Sequence, residues 1–203
     1  MGGDLEPAAA RRVRLATAAD GEACAAIYAP YVQRTAISFE NVAPPGAEMA
    51  GRIERTTARS AWVVAEVDGV VRGYAYGTRH RERAAYDWTI ETTVYVSEAF
   101  QGRGLGRMAM RSLIAVLRLQ GFHLAVAGIT APNPGSIALH RSLGFARIGE
   151  FEAMGWKLDA WHGVEWFALE LSPRDPIPDP VTPLPELVGT PELAAALDGH
   201  GGG

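Results

Sequence analysis

The stretch Gln101-Gly102-Arg103-Gly104-Leu105-Gly106 lies between a β-rich run, Thr89 to Val96, and a run of helical periodicity, Leu105 to Gln120. No other feature constrains the chain as strongly. Glycines in a strand-to-helix turn let backbone N–H groups point into a common hollow, and the helix N-terminus adds partial positive charge. Arg103 and Arg107 bring two formal charges to the same place. We therefore read the turn as a phosphate or pyrophosphate cradle and not as a plain left-handed turn. Two familiar phosphate loops are excluded. A Walker loop ends in Gly-Lys-Ser/Thr, whereas this one ends Gly106-Arg107-Met108. A dinucleotide fingerprint follows the first strand and has an acid about 20 residues further on, but that distance leads here to Gln120-Gly121-Phe122.

The 203 residues suit one domain, or one domain with a tail. A formal charge of −4 argues against a general nucleic-acid binder, which needs a basic surface. Cys24 is the only cysteine, so no intrachain disulfide can form. Its place in the apolar helical run Ala23 to Ile27 makes it a buried structural thiol. Residues 1–11 show no signal-peptide pattern, and no apolar stretch is long enough to span a membrane. The expected location is the cytoplasm, with no nucleic-acid or membrane partner.

Read in order, residues 1–10 are expected to be disordered, and Val13 to Leu15 forms a short strand. Asp20 is placed to cap a helix from Glu22 to Val32, and a second helix runs from Ala47 to Ala58. Phe39, between them, is either a core plug or one wall of a pocket. Trp62 to Val67, Asp68-Gly69 and Val70 to Tyr76 form an antiparallel hairpin with a type I′ turn. Along Thr89 to Val96, Ile90, Thr92, Val94 and Val96 face a core, while Glu91, Thr93 and Tyr95 face the other way. A polar face on a central strand suggests a wet cleft. Leu105, Ala109, Leu113 and Val116 form the buried face of the following helix. Leu124 to Thr130 is a buried strand, and Asn133-Pro134-Gly135 is a turn before a short helix capped by Ser136 and running through Ser142. Strands begin at Phe145 and Val164, while Met154 to His162 shows no clear period. Seven of the 13 prolines follow Ser172, so Pro173 to Gly189 reads as a linker-like tail before a helix capped at Thr190. Gly199 to Gly203 is expected to be disordered. The domain plan is residues 1–11, a catalytic domain at 12–172 and a tail at 173–203. The fold class is α/β (α+β), a mixed, mostly antiparallel sheet of about seven strands with helices on both faces.

This order and loop position resemble the GNAT acyltransferase superfamily, whose loop pattern Gln/Arg-x-x-Gly-x-Gly/Ala is filled by Gln101, Gly104 and Gly106. The resemblance narrows with the run from Ala85-Tyr86-Asp87-Trp88 through Val96. Pro132-Asn133-Pro134, Leu139-His140, Leu143-Gly144-Phe145 and Trp161-His162-Gly163-Val164 narrow it further. Together these are similar to phosphinothricin N-acetyltransferase and its relatives, over roughly residues 12–172.

The resemblance implies acetyl transfer from acetyl-CoA, without a metal, to the α-amino group of a small amino acid such as phosphinothricin, methionine sulfoximine or methionine sulfone. It also implies a homodimer. An α-ammonium is mostly protonated at neutral pH, so a base is needed, and the family's catalytic glutamate falls on Glu91. His140 stands where it would act as acid or second base; as a bare residue it is a helix-surface histidine. Backbone groups at Val94, Tyr95 and Val96 would meet the thioester. Gln101, Gly102, Arg103, Gly104, Leu105, Gly106 and Arg107 would hold the pyrophosphate, with Asn133 as a further cofactor contact. Arg81 and Arg83 would fork onto the acceptor's anionic group, although the family often has lysine at the first position. Phe39, Tyr86, Thr93, Tyr95 and Val164 would wall the acceptor pocket. Two rival readings are a GNAT enzyme acting on protein amines and a non-catalytic CoA-binding module. The first calls for an open acidic groove, and the second needs neither Glu91 nor His140.

Overall fold

Seven strands form one sheet in the order β1-β2-β3-β4-β5-β7-β6 in the computed structural model, which describes residues 10–174 and 177–198. The strands are β1 (Arg11–Leu15), β2 (Trp62–Val67), β3 (Val70–Arg79), β4 (Thr89–Val96), β5 (Leu124–Thr130), β6 (Ala146–Lys157) and β7 (Ala160–Glu170). Every neighbouring pair is antiparallel except β4 and β5. That single parallel pair requires a crossover, and α3 (Leu105–Leu119) supplies it directly after the glycine-rich loop. The hairpin between β2 and β3 turns at Asp68 (φ 51°) and Gly69 (φ 76°), the left-handed pair of a type I′ turn.

The sheet separates two cores. On one face the α3 residues Leu105, Ala109, Leu113 and Val116 pack on Val63, Ala75, Ile90 and Phe167. On the other, α1 (Gly21–Arg34) and α2 (Gly46–Thr57) bury Cys24, Ile27, Met49 and Ile53 against Trp62, Val64 and Tyr74. Cys24 has no exposure, and burial pushes its thiol pKa up to about 12. That is the inert thiol expected of a core position.

Four expectations are corrected. Asp20 does not cap α1 through its side chain. Its carboxylate accepts two hydrogen bonds from Arg14, at 2.7 and 2.8 Å, and one from the Thr17 N–H. Asn133, and not Ser136, caps α4 (Pro134–Ser142): the Asn133 side chain accepts the Ser136 N–H at 3.1 Å. The stretch without a period is a long hairpin, β6 to β7, turning at Leu158 (φ 51°) and Asp159 (φ 57°). A type I′ turn without asparagine or glycine carries no sequence signal. The proline-rich tail is not a free linker. The Gln120 side chain donates to the carbonyls of Arg59 and Thr182. Leu184, in the single turn α5 (Leu184–Leu187), is buried in the α3 core with Leu193 and Ala196 of α6 (Pro191–Leu197). Thr190 caps α6 as expected, its hydroxyl accepting the Leu193 N–H. The disorder expected for residues 1–9 and 199–203 lies outside the described residues. Ala10 itself exchanges hydrogen bonds with Asp68.

Candidate active site

The parallel pair does not run the length of the sheet. β4 keeps its ladder with β3 from Ile90 to Val96, but pairs with β5 only at Thr89, Ile90 and Glu91. The Thr92 hydroxyl reaches the Val126 carbonyl at 3.2 Å, and beyond it the two strands part. The stretch holding Val94, Tyr95 and Val96 therefore has one edge without a neighbouring strand, a place where backbone polar groups are available to a ligand.

The glycine-rich loop stands at the end of that edge. Gly102 (φ 69°) and Gly104 (φ 81°) are left-handed, and Gly104 is the residue before α3. Gly106 is needed for a different reason. A β-carbon there would lie 3.3 Å from Val96 and 3.5 Å from Leu139, so β4, α3 and α4 converge on it. Leu105 is core, leaving only its backbone to the loop. The Gln101 amide donates to the Tyr31 hydroxyl at 2.8 Å, and Tyr31 in turn donates to the Val96 carbonyl. This side chain fixes the loop against α1. The Arg103 carbonyl accepts from Arg11, and its guanidinium lies over Phe100. Arg107 reaches only the Ser142 carbonyl, at 3.4 Å. Neither Arg103 nor Arg107 has an acidic partner among the described residues.

Glu91 lies on the opposite face of β4, half-buried, across from Thr78 in the ladder. Its Oε2 is 3.3 Å from His80 Nδ1. The His80 ring sits edge-on to Tyr86 and Trp166. The sequence reading passed over His80 because it lies in an arginine-rich loop. Carrying the alternation Tyr74, Tyr76, Thr78 one step further would have placed it beside Glu91. Thr93 stands directly across the ladder from Tyr76. The partly buried Tyr95 packs its ring edge-on to Tyr28 and Tyr31 and tilted against Tyr74, on the α1 side of the sheet. The polar face thus carries a carboxylate at Glu91 and an aromatic cluster at Tyr95.

The same face continues along β5 and β7, where alternation sets Gly128 with Trp166 and Thr130 with Val164. Val164 is buried, 3.3 Å from where a side chain on Gly128 would begin. His162 follows on the same side, with the Phe39 ring 6.4 Å away. Phe39, 39% exposed, lies over Gly155, where an added β-carbon would be 2.4 Å from the ring.

At the end of β3 Arg79 bonds Asp87 at 2.7 Å, and Asp87 also takes Arg59 at 3.1 Å. Arg81 and Arg83 are exposed and pair with no acid among the described residues. The Arg81 guanidinium stands 5.9 Å above the Tyr86 ring. His140 is 3% exposed, so it is not a helix-surface residue. Its Nδ1 donates to the Ser136 carbonyl at 2.8 Å, its ring lies edge-on to Phe145, and its Nε2 is buried without a partner. Burial holds its pKa below the ordinary histidine value. A neutral imidazole with that tautomer leaves Nε2 as an acceptor.

A carboxylate on an open sheet face, a strand edge freed by splaying and a glycine-rich helix start describe an acyltransferase site. The chain matches the Acetyltransferase (GNAT) family over residues 31–145 and belongs to that family. It is 38% identical to phosphinothricin N-acetyltransferase of Streptomyces viridochromogenes, a match covering 86% of this chain and 95% of that protein. It is 35% identical to the L-methionine sulfoximine/L-methionine sulfone acetyltransferase of Salmonella typhimurium, covering 78% of this chain and 94% of that one. Among solved structures, a phosphinothricin acetyltransferase of Sinorhizobium meliloti in complex with AcCoA superposes with a TM-score of 0.76 at 34% identity. That match covers 81% of this chain and 89% of that structure. Among the described residues no group of histidine, cysteine, aspartate and glutamate could hold a metal.

Proposed function

We propose that this enzyme moves an acetyl group from acetyl-CoA to the α-amino group of a small amino acid of the phosphinothricin or methionine sulfoximine/sulfone type. The observation that carries the proposal is Glu91 on a splayed β4, beside His80, whose ring meets Tyr86 under the unpaired Arg81. The relatives' named substrates support the acceptor class. The free edge at Val94, Tyr95 and Val96 and the cradle from Gln101 to Arg107 fit an elongated pyrophosphate-bearing cosubstrate. Asn133 is placed at the start of α4 to add one contact. Bound acetyl-CoA supplies the activated acyl carbon.

The chain's own groups do the rest. Glu91 takes the ammonium proton, directly or through one water, so that a neutral amine can attack. Backbone N–H groups on the free β4 edge stabilise the negative charge that develops on the acyl oxygen; as the amide bond forms the carbon–sulfur bond breaks, and the CoA sulfur leaves as a thiolate that takes a proton from solvent. Arg81 and Arg83 hold the acceptor's anionic group at the mouth, over the wall formed by Tyr86, Thr93, Val164 and Phe39. His140, with only an acceptor free, suits the second-base role better than the acid. We also propose a homodimer. The β6–β7 hairpin exposes Ile148, Phe151, Met154, Trp156 and Trp161, the last two 57% and 63% exposed, and such a patch marks an interface. Light scattering that finds a monomer at assay concentration would remove the dimer. The test of the activity is an acceptor screen with acetyl-CoA, read by free-thiol release. Turnover is expected with phosphinothricin, methionine sulfoximine or methionine sulfone. Turnover only on peptide amines would overturn the acceptor class.

A further inference from the structure

We infer that Lys157 is a positioning residue for the acceptor site, stapling the segment that carries Phe39 to the β6–β7 hairpin. The inference rests on the acetyl-transfer reading above for its kinetic consequences and on geometry for the staple itself.

Lys157 is the sole lysine in the sequence; the other 18 of the 19 lysine and arginine residues are arginine. It is also buried, at 6% exposure, at the end of β6. Its Nζ donates to the carbonyls of Val32 at 2.6 Å, Ser38 at 2.6 Å and Glu40 at 2.7 Å. An ammonium has three N–H bonds in tetrahedral array, and here each meets a backbone acceptor. A neutral amine has one too few. A guanidinium is planar and too wide to converge on three carbonyls from one atom. The one place where the chain uses lysine is the place where arginine cannot do the work.

The three carbonyls belong to the end of α1 and the segment that follows it. That segment is separately tied to the helical layer. The Tyr28 hydroxyl bonds Ser38 Oγ at 2.6 Å and donates to Glu40 at 2.9 Å, while Arg52 forks onto the Glu40 carboxylate. The tie to the hairpin rests on two further contacts, Lys157 and the seating of Phe39 over Gly155. Register shows where this staple stands. Gly155 pairs with His162, so Gly155, Lys157 and His162 face the side of the sheet that carries Val164, Trp166 and, through β5, Glu91. His162 Nε2 also bonds the Lys157 carbonyl at 2.9 Å. Lys157 therefore closes the far end of the Glu91 face and fixes the height of the Phe39 ring above it. A link needed only for stability could be made by apolar packing, without burying a charge. A three-point anchor fixes position as well.

The experiment uses Lys157→Met, Lys157→Arg, Phe39→Ala and the double variant Lys157→Met/Phe39→Ala. The expected result for Lys157→Met is an acceptor KM raised about ten-fold or more, as for a loosened binding wall, with the acetyl-CoA KM within about two-fold. Lys157→Arg is expected not to rescue, because charge alone is not the requirement. The double variant is expected to be no worse than the poorer single one, since lysine acts through Phe39. Lower thermal stability with an unchanged acceptor KM and additive effects would overturn the inference in favour of plain scaffolding. Hydrogen exchange of residues 35–43 provides a readout without turnover. It should quicken in Lys157→Met; if it does not, the staple is refuted. Quickened exchange in a protein that acetylates no tested acceptor would instead sink the activity and leave the staple standing. If Lys157→Met does not fold, Gly155→Ala lifts Phe39 without touching the lysine and should raise the same KM. An unchanged KM there would refute the claim that Phe39 height matters.

Discussion

Replacing Arg81 and Arg83 together with alanine tests the acceptor site where its logic is most exposed. Both side chains reach solvent, and the base of their loop is held by Asp87, bonded to Arg79 and Arg59. The substitutions should therefore leave stability within about 0.5 kcal/mol, as for other unengaged surface positions. A hydrogen bond to a charged group is worth about 1.5–3 kcal/mol net. These guanidiniums sit at a wet mouth, so screening leaves roughly 1 kcal/mol apiece for the acceptor's anionic group. That is about five-fold in acceptor KM for each arginine and roughly 25-fold for both. The contact exists in the ground and transition states alike, so kcat should change less than KM. The assay is thiol release at saturating acetyl-CoA with phosphinothricin and methionine sulfoximine varied, at low and high salt. The excess in KM should shrink at high salt. A wild-type acceptor KM in the double variant would make the two arginines solvated loop. A raised acetyl-CoA KM with an unchanged acceptor KM would place them at the wrong site.

Gly106→Val should sharply weaken acetyl-CoA binding, because its branches would meet Val96 and Leu139 where three elements converge; unchanged affinity in a folded protein would contradict the cradle. His140→Phe keeps the packing against Phe145 but removes the free Nε2 and the Nδ1 bond to Ser136, so kcat should fall by far more than the loss of about 1 kcal/mol in stability from that one hydrogen bond explains. A full kcat would reduce His140 to packing. The ion pair with Arg14 holds the Asp20 carboxyl below its ordinary pKa. Its contribution is present above the unfolded value, about 3.9, and is lost as pH falls through the folded one. Asp20→Asn should cost about 1–2 kcal/mol at neutral pH, discounted for partial exposure, and flatten the acid limb of the stability curve. An unaltered acid limb would show that the pair is not the source.

What was legible in the sequence is what local rules encode. Asp68-Gly69 announces its hairpin because both residues tolerate a left-handed backbone. The Thr89 to Val96 strand announces its two faces by alternation. The loop's left-handed backbone followed from glycine placement, although the separate reason for Gly106, close approach and not φ, needed coordinates. The features that stayed hidden depend on distant partners. Leu158-Asp159 is a turn because the β6 and β7 strands fit each other, not because its residues prefer it. Alternation gives Tyr95 its face, but not the Tyr28, Tyr31 and Tyr74 rings that pack on it. The stretch Pro173 to Gly189 looked linker-like because prolines mask Leu184, whose value lies in the α3 surface it covers.

The central claim is that Glu91 on its open face is the base of an amine acetyltransferase. The most direct measurement is steady-state turnover by Glu91→Gln, paired with acetyl-CoA binding measured by calorimetry. Glutamine keeps the size and the hydrogen-bonding reach toward His80 but cannot take a proton. The account predicts coenzyme affinity within about two-fold of wild type and kcat lower by roughly 10²–10⁴-fold, the usual contribution of a positioned base. A Glu91→Gln enzyme that turns over at the wild-type rate with saturating acceptor would contradict it.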